Sequence, residues 1–145
     1  MFSTLFAGAY AGLASGAILL FLSHVAPRLG AGNFIRDLDE PRIFGHEVTR
    51  REAHLIGVLM HLVLSLVSGF LFALAVDRGW VSGFHLLPIL GWSVMLLLFT
   101  GVVVMPLEGH GFFGVKHDAW FPVDAMLTNI FWALIYLGLV HLWLP

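Results

Sequence analysis

HLIGVLMHLVLSLVSGFLFALAV, residues 54–76, decides the fold. The stretch contains no Asp, Glu, Lys or Arg, and it exceeds the ~20 apolar residues that a helix needs to cross a bilayer. Three further stretches of the same kind, residues 4–25, 84–105 and 122–144, account for most of the remaining chain. A backbone in hydrocarbon must satisfy its own hydrogen bonds, so each stretch is expected to be a helix. The expected fold class is an all-α integral membrane protein, a four-transmembrane-helix bundle forming one domain over residues 1–145.

Composition points the same way. Of 145 residues, 59% are hydrophobic and 11% charged, and the mean hydropathy is +0.94. Soluble domains carry about a quarter charged residues. The absence of cysteine removes disulfides, thiol redox chemistry and Cys-based metal sites. A net charge of −2 argues against nucleic acid as a partner. Residues 1–6 lack the basic region of a secretory signal, so the first span is expected to be a retained helix.

The cations predict an orientation. Arg28, Arg36, Arg42, Arg50 and Arg51 lie in the loop 26–53, and Lys116 lies in the loop 106–121; only Arg78 sits on the other side. The positive-inside rule then places both loops in the cytoplasm and both termini outside, with the plasma (inner) membrane as the expected location.

Gly8, Gly12 and Gly16 form a glycine-zipper pattern in span one, flanked by Ala7, Ala11 and Ser15. Small residues at this spacing let two helix backbones approach closely in lipid. The partner is expected to be a helix of this chain or of a neighbouring subunit, giving a homo-oligomer or a larger membrane complex. In the first loop, residues 33–38 mix apolar and charged side chains in the manner of a short interfacial helix. From about Gly45 the chain is expected to turn helical, pairing Glu47 with Arg51 one turn apart. Asp77–Trp80 reads as a tight turn, and Trp132 and Trp143 as lipid-facing or anchoring aromatics. Residues 29–34 resemble residues 108–113, which would make spans one-two and three-four parallel repeats.

The eight histidines are the notable polar content. His61 lies roughly 10 Å deeper than His54 at 1.5 Å per residue. Counting inward along the other spans brings Asn129 and Thr100 near the same depth, with Ser65 one turn below His61, which predicts a polar layer inside the bundle. An ionisable group at that depth usually faces the interior and marks function. Above it, His54, His110, His117, Glu108, Asp118 and Asp124 would form a vestibule with imidazole and carboxylate ligands for a divalent metal. Haem b ranks behind a metal, since it needs two histidines on facing helices. Asp124 also complements the dipole at the start of span four. Two function classes follow: an accessory, helix-packing subunit, and a membrane protein that binds a metal or haem, acts on lipid or redox substrates, or relays protons through His61.

Overall fold

A computed structural model describes residues 2–25, 42–43, 46–47, 49–107, 111–116 and 119–144. Four helices long and apolar enough to cross a membrane cover Thr4–Val25, His54–Asp77, Leu86–Val104 and Phe121–Trp143. They belong to α1 (Phe2–Val25), α2 (Arg50–Asp77), α3 (Leu86–Phe99) and α5 (Phe121–Trp143). Between α3 and α5, α3 continues through a π-helical turn at Thr100–Val104 into α4 (Met105–Leu107), followed by a 3₁₀ turn at Phe112–Gly114. The only extended pairing among the described residues is β1 (Arg42–Ile43) against β2 (His46–Glu47), antiparallel and two residues long. Residues 33–38 and the 29–34 half of the proposed repeat lie outside the described residues.

Helix α2 begins at Arg50, later than the expected start near Gly45. Glu47 lies in β2, ahead of the helix, and not one helical turn before Arg51 as expected. Thr49 ends the extended segment and caps the helix instead. Its hydroxyl accepts from the Glu52 N–H at 3.3 Å, and the Glu52 carboxylate accepts from the Thr49 N–H at 2.9 Å. This reciprocal capping box satisfies donors that the first helical turn leaves free. At the other end Asp77 is followed by a turn in which Gly79 takes φ +72°, a conformation that glycine adopts without steric penalty. Trp80 beyond it is exposed.

Packing is uneven around the bundle. α1 lies closest to α2, and it also touches α5; α3 packs on α5. The Gly8, Gly12 and Gly16 face of α1 meets α2 of the same chain. A methyl group on Gly12 would collide with the Ser65 carbonyl and come within 3.0 Å of Gly69 Cα, and one on Gly16 would strike the Ser65 side chain. Beside that contact, large side chains link α2 to α3 and to the segment before it. Phe72 meets Phe84 and Trp92 edge-on at 5.9 and 5.7 Å, and Trp92 Nε1–H donates to the Ser68 hydroxyl at 2.9 Å.

The half of the bundle nearest the Asp77–His85 turn is solidly filled. Phe72, Ile89, Tyr136 and Val140 are fully buried there. The Tyr136 hydroxyl donates to the Gly69 carbonyl at 2.9 Å, tying α5 to α2. Trp132 stacks on Tyr136 with ring centres 5.0 Å apart and is itself 4% exposed. The sequence expectation that Trp132 faces lipid is therefore corrected: one helical turn from Tyr136, it shares the inward face. Trp143, in contrast, is exposed.

Two predictions follow from these packing facts. Gly12→Ala should lower stability by about 1–3 kcal/mol through overpacking, whereas Gly57→Ala, where an added methyl meets nothing, should leave stability unchanged or raised by up to ~1 kcal/mol; unfolding in mixed micelles reads both. The second concerns pH. Bonds from the Thr49 N–H and then its hydroxyl hold the Glu52 carboxyl below its ordinary 4.5. The cap's contribution is thus fully present above pH 4.5 and is lost as pH falls through the lower folded value. Exchange of the first-turn amides of α2 should accelerate in that acidic window, and Glu52→Gln should abolish the dependence.

Candidate functional site

The opposite half of the bundle, toward the ends of α1 and α4 and the starts of α2 and α5, encloses a cavity of about 630 Å³. Its walls come from α2, α3 with its π-helical turn, and α5, with Leu19 of α1 at the back. Polar residues of the wall include His61, Ser65, Ser68, Thr100, Asp124 and Asn129. Four of these, His61, Ser65, Thr100 and Asn129, are the residues that depth counting assigned to one layer, and Asp124 lies in the same wall. The remainder is predominantly apolar and aromatic, including Trp92, Phe99, Phe121 and Trp132.

The cavity is open on one side. Leu64, Val67 and Leu71 on α2, and Met95 and Phe99 on α3, line it and are also exposed on the outside of the bundle. Its mouth therefore lies between α2 and α3, bounded by apolar side chains. Toward the Asp77–His85 turn, the Trp92–Ser68 bond and the Phe72 cluster close it.

Each polar group has a local reason for its position. Asp124 occupies the first turn of α5, where Pro122 also sits and a carboxylate complements the helix dipole. One turn on, the Thr128 hydroxyl donates to the Asp124 carbonyl at 2.8 Å, and Asn129 Nδ2–H donates to the Ala125 carbonyl at 2.8 Å. The Asn129 side-chain oxygen is left as an acceptor in the wall. His61 lies beside Gly16, its ring 3.7 Å from where a methyl on that residue would sit, an ordinary contact distance.

Two buried side-chain nitrogens have no hydrogen-bond partner among the described residues: His61 Nε2 and Trp132 Nε1. Both residues line this cavity with other atoms of their side chains; neither nitrogen is open to it. Buried polar atoms are ordinarily paired, so two unpaired nitrogens in one wall call for a physical explanation.

The π-helical turn shapes the same wall. A π-turn adds a residue within a helix and is frequent at functional positions. Here it starts at Thr100, in the cavity, and places Gly101 under the ring of Phe113, where any side chain would collide with that ring. Phe113 itself takes φ +53°, uncommon for a bulky residue. Packing of the ring on Gly101 holds it there.

The proposed vestibule is only partly visible. Glu108, His110, His117 and Asp118 lie outside the described residues. His54 is exposed and meets His24 edge-on at 5.5 Å, away from the cavity wall. Among the described residues, no group of three His, Asp or Glu side chains converges to hold a metal. His24 and His141 each engage a backbone carbonyl of their own helix, and His85 precedes α3 as its exposed cap residue. Comparison of the chain with protein families, with curated proteins and with solved structures finds no match in any of the three.

The Trp92–Ser68 bond is the polar tie across the α2–α3 gap. In a double-mutant cycle, Trp92→Phe and Ser68→Ala should show a coupling of about 0.6 kcal/mol, the average for interhelical bonds within membranes. Additive effects of the two changes would mean that the bond does not hold the gap.

Proposed function

We propose that this protein is a small intramembrane binding protein, taking a lipophilic molecule from the bilayer through the gap between α2 and α3. The observation that carries the reading is the position of the cavity mouth. It lies on the apolar flank of the bundle, between helices long and apolar enough to span a membrane. A ligand dissolved in the hydrocarbon would reach it without crossing water. About 630 Å³ falls within the range of small-molecule sites, which are mostly apolar with a few placed polar groups.

The positive-inside count supports an orientation with the cavity in the cytoplasmic half of the membrane and both termini outside. An inner or plasma membrane suits that reading. The alternative of an accessory subunit docking through the first helix drew on the small-residue face of α1, and α2 occupies that face. Metal or haem binding would depend on the 108–118 loop, and the described residues add no ligand cluster to it.

The test uses the cavity tryptophans. Bromododecanol titrated into protein-containing vesicles should quench Trp92 and Trp132 fluorescence saturably, and Thr128→Phe, which fills the cavity from α5, should remove the saturable phase. Quenching that rises linearly with probe in the lipid, unchanged by Thr128→Phe, would reduce the cavity to an ordinary lipid-facing groove and overturn the reading.

A further inference from the structure

Within the reading of the cavity as a lipophilic-ligand site, on which this step rests, we infer that the ligand is a cationic amphiphile, a lipophilic amine whose ammonium head pairs with the Asp124 carboxylate. Three observations carry this.

The first is the state of the carboxylate. Asp124 lines the cavity and is half-buried, and its side chain has no hydrogen-bond or ion-pair partner among the described residues. The unpaired side-chain atoms that are sealed from accessible surface among those residues belong to His61 and Trp132. The Asp124 oxygens are not among them, so they are open to an incoming group. An ionised carboxylate is acceptor-only, and an ammonium offers it N–H donors together with the opposite charge.

The second is the charge of the surroundings. Among the described residues no Lys or Arg lines the cavity, and Asp124 is its one acidic residue. The dipole at the start of α5 offsets about half an elementary charge, so a net negative charge remains there. An anionic head would meet that charge without a partner, where an unpaired charge is heavily penalised. A neutral head would leave the carboxylate without a counter-charge. Phe121, one turn before Asp124 on α5, lines the same cavity and gives a cation an aromatic neighbour. Thr128 gives its hydroxyl hydrogen to the Asp124 carbonyl, so its oxygen is left as a further acceptor.

The third is depth. Asp124 lies in the first turn of α5, and Trp132 stands roughly 12 Å further along the helix at 1.5 Å per residue. The charge therefore sits at the end of a span-length helix, and the aromatic floor of the cavity well inside it. An amphiphile in a bilayer lies the same way, its charge kept at the surface by the cost of burying it and its chain directed inward. It can pass sideways between α2 and α3 without turning over, its chain sliding between Leu64, Met95 and Phe99 at the mouth.

The experiment is displacement of bromododecanol by dodecylamine, dodecanol and dodecyl sulfate in phosphatidylcholine vesicles, each expressed as mole fraction in the lipid. The work is done at about pH 7, where a primary amine carries its charge as a lysine side chain does. Dodecylamine should displace at about tenfold lower mole fraction than dodecanol, the equivalent of one charge-assisted hydrogen bond. Dodecyl sulfate should be the weakest of the three. In Asp124→Asn, which keeps the size of the side chain and loses its charge, the preference for the amine should fall to about twofold or less. Asp124→Glu should retain it. Asp124→Ser gives the same readout if Asp124→Asn does not assemble, and the ranking in the unmodified protein tests the charge independently of any variant. A carboxylate that served the α5 dipole alone would lower stability on substitution and leave the ranking of the probes unchanged.

Equal displacement by amine and alcohol, an undiminished amine preference in the uncharged variants, or tightest binding of dodecyl sulfate would each overturn the inference while leaving the lipophilic site standing. Failure of all three probes to displace saturably bound bromododecanol would overturn it too. Absence of any saturable quenching would remove the site itself.

Discussion

The close approach of α1 to α2 sets the arrangement of everything else. Gly8, Gly12 and Gly16 remove side chains from one surface, Gly69 and Ser65 keep the opposing surface small, and the two backbones come into contact. In lipid there is no hydrophobic drive between helices, so such packing must rest on van der Waals contact and interhelical hydrogen bonds. Drawing α2 onto α1 takes it away from α3. The gap is bridged at one level by Trp92, Phe72 and Phe84 and left open at the other, where the cavity lies. Small residues on α2 and the aromatic spacers beside them thus account for both the tight hairpin and the cavity.

The two halves of the bundle therefore differ in kind. Toward the Asp77–His85 turn, the interior is filled by Phe72, Ile89, Tyr136 and Val140, tied by the bond from the Tyr136 hydroxyl to Gly69. Toward the longer loops, the interior carries small hydroxyls, an amide, an imidazole and a carboxylate around a space. The π-helical turn adds to this asymmetry. It opens the helical winding at Thr100, and the glycine that follows is covered by Phe113, so the widened turn is braced from the loop side.

Much of this was legible in the sequence. Four spans follow from length and apolarity because the bilayer admits few alternatives. Counting depth from the loop side brought His61, Ser65, Thr100 and Asn129 to one level, since a straight helix converts residue number into height. Position around the helix axis is harder to read when every face is apolar, and this is why Trp132 looked like a lipid-facing residue. Its spacing of four from Tyr136 was the available signal. Likewise Thr49 and Glu52 spell a capping box, but the Glu47–Arg51 spacing drew the expected helix start toward Gly45. The π-turn left no such mark: Thr100, Gly101 and three valines are equally compatible with regular helix.

The closed half also bears on what the polar half can do. A proton or ion entering by way of His54 and His61 would meet, beyond Ser68 and Trp132, a layer in which Phe72, Ile89 and Val140 offer no hydrogen-bonding side chain and the Tyr136 hydroxyl is already engaged with Gly69. A relay needs successive groups that can both give and take a proton, and a filled aliphatic and aromatic layer supplies none. A lipophilic ligand has no need of that continuation. Under the proposed reading it would leave by the flank through which it came, over a filled half in which Trp132 stacks on Tyr136.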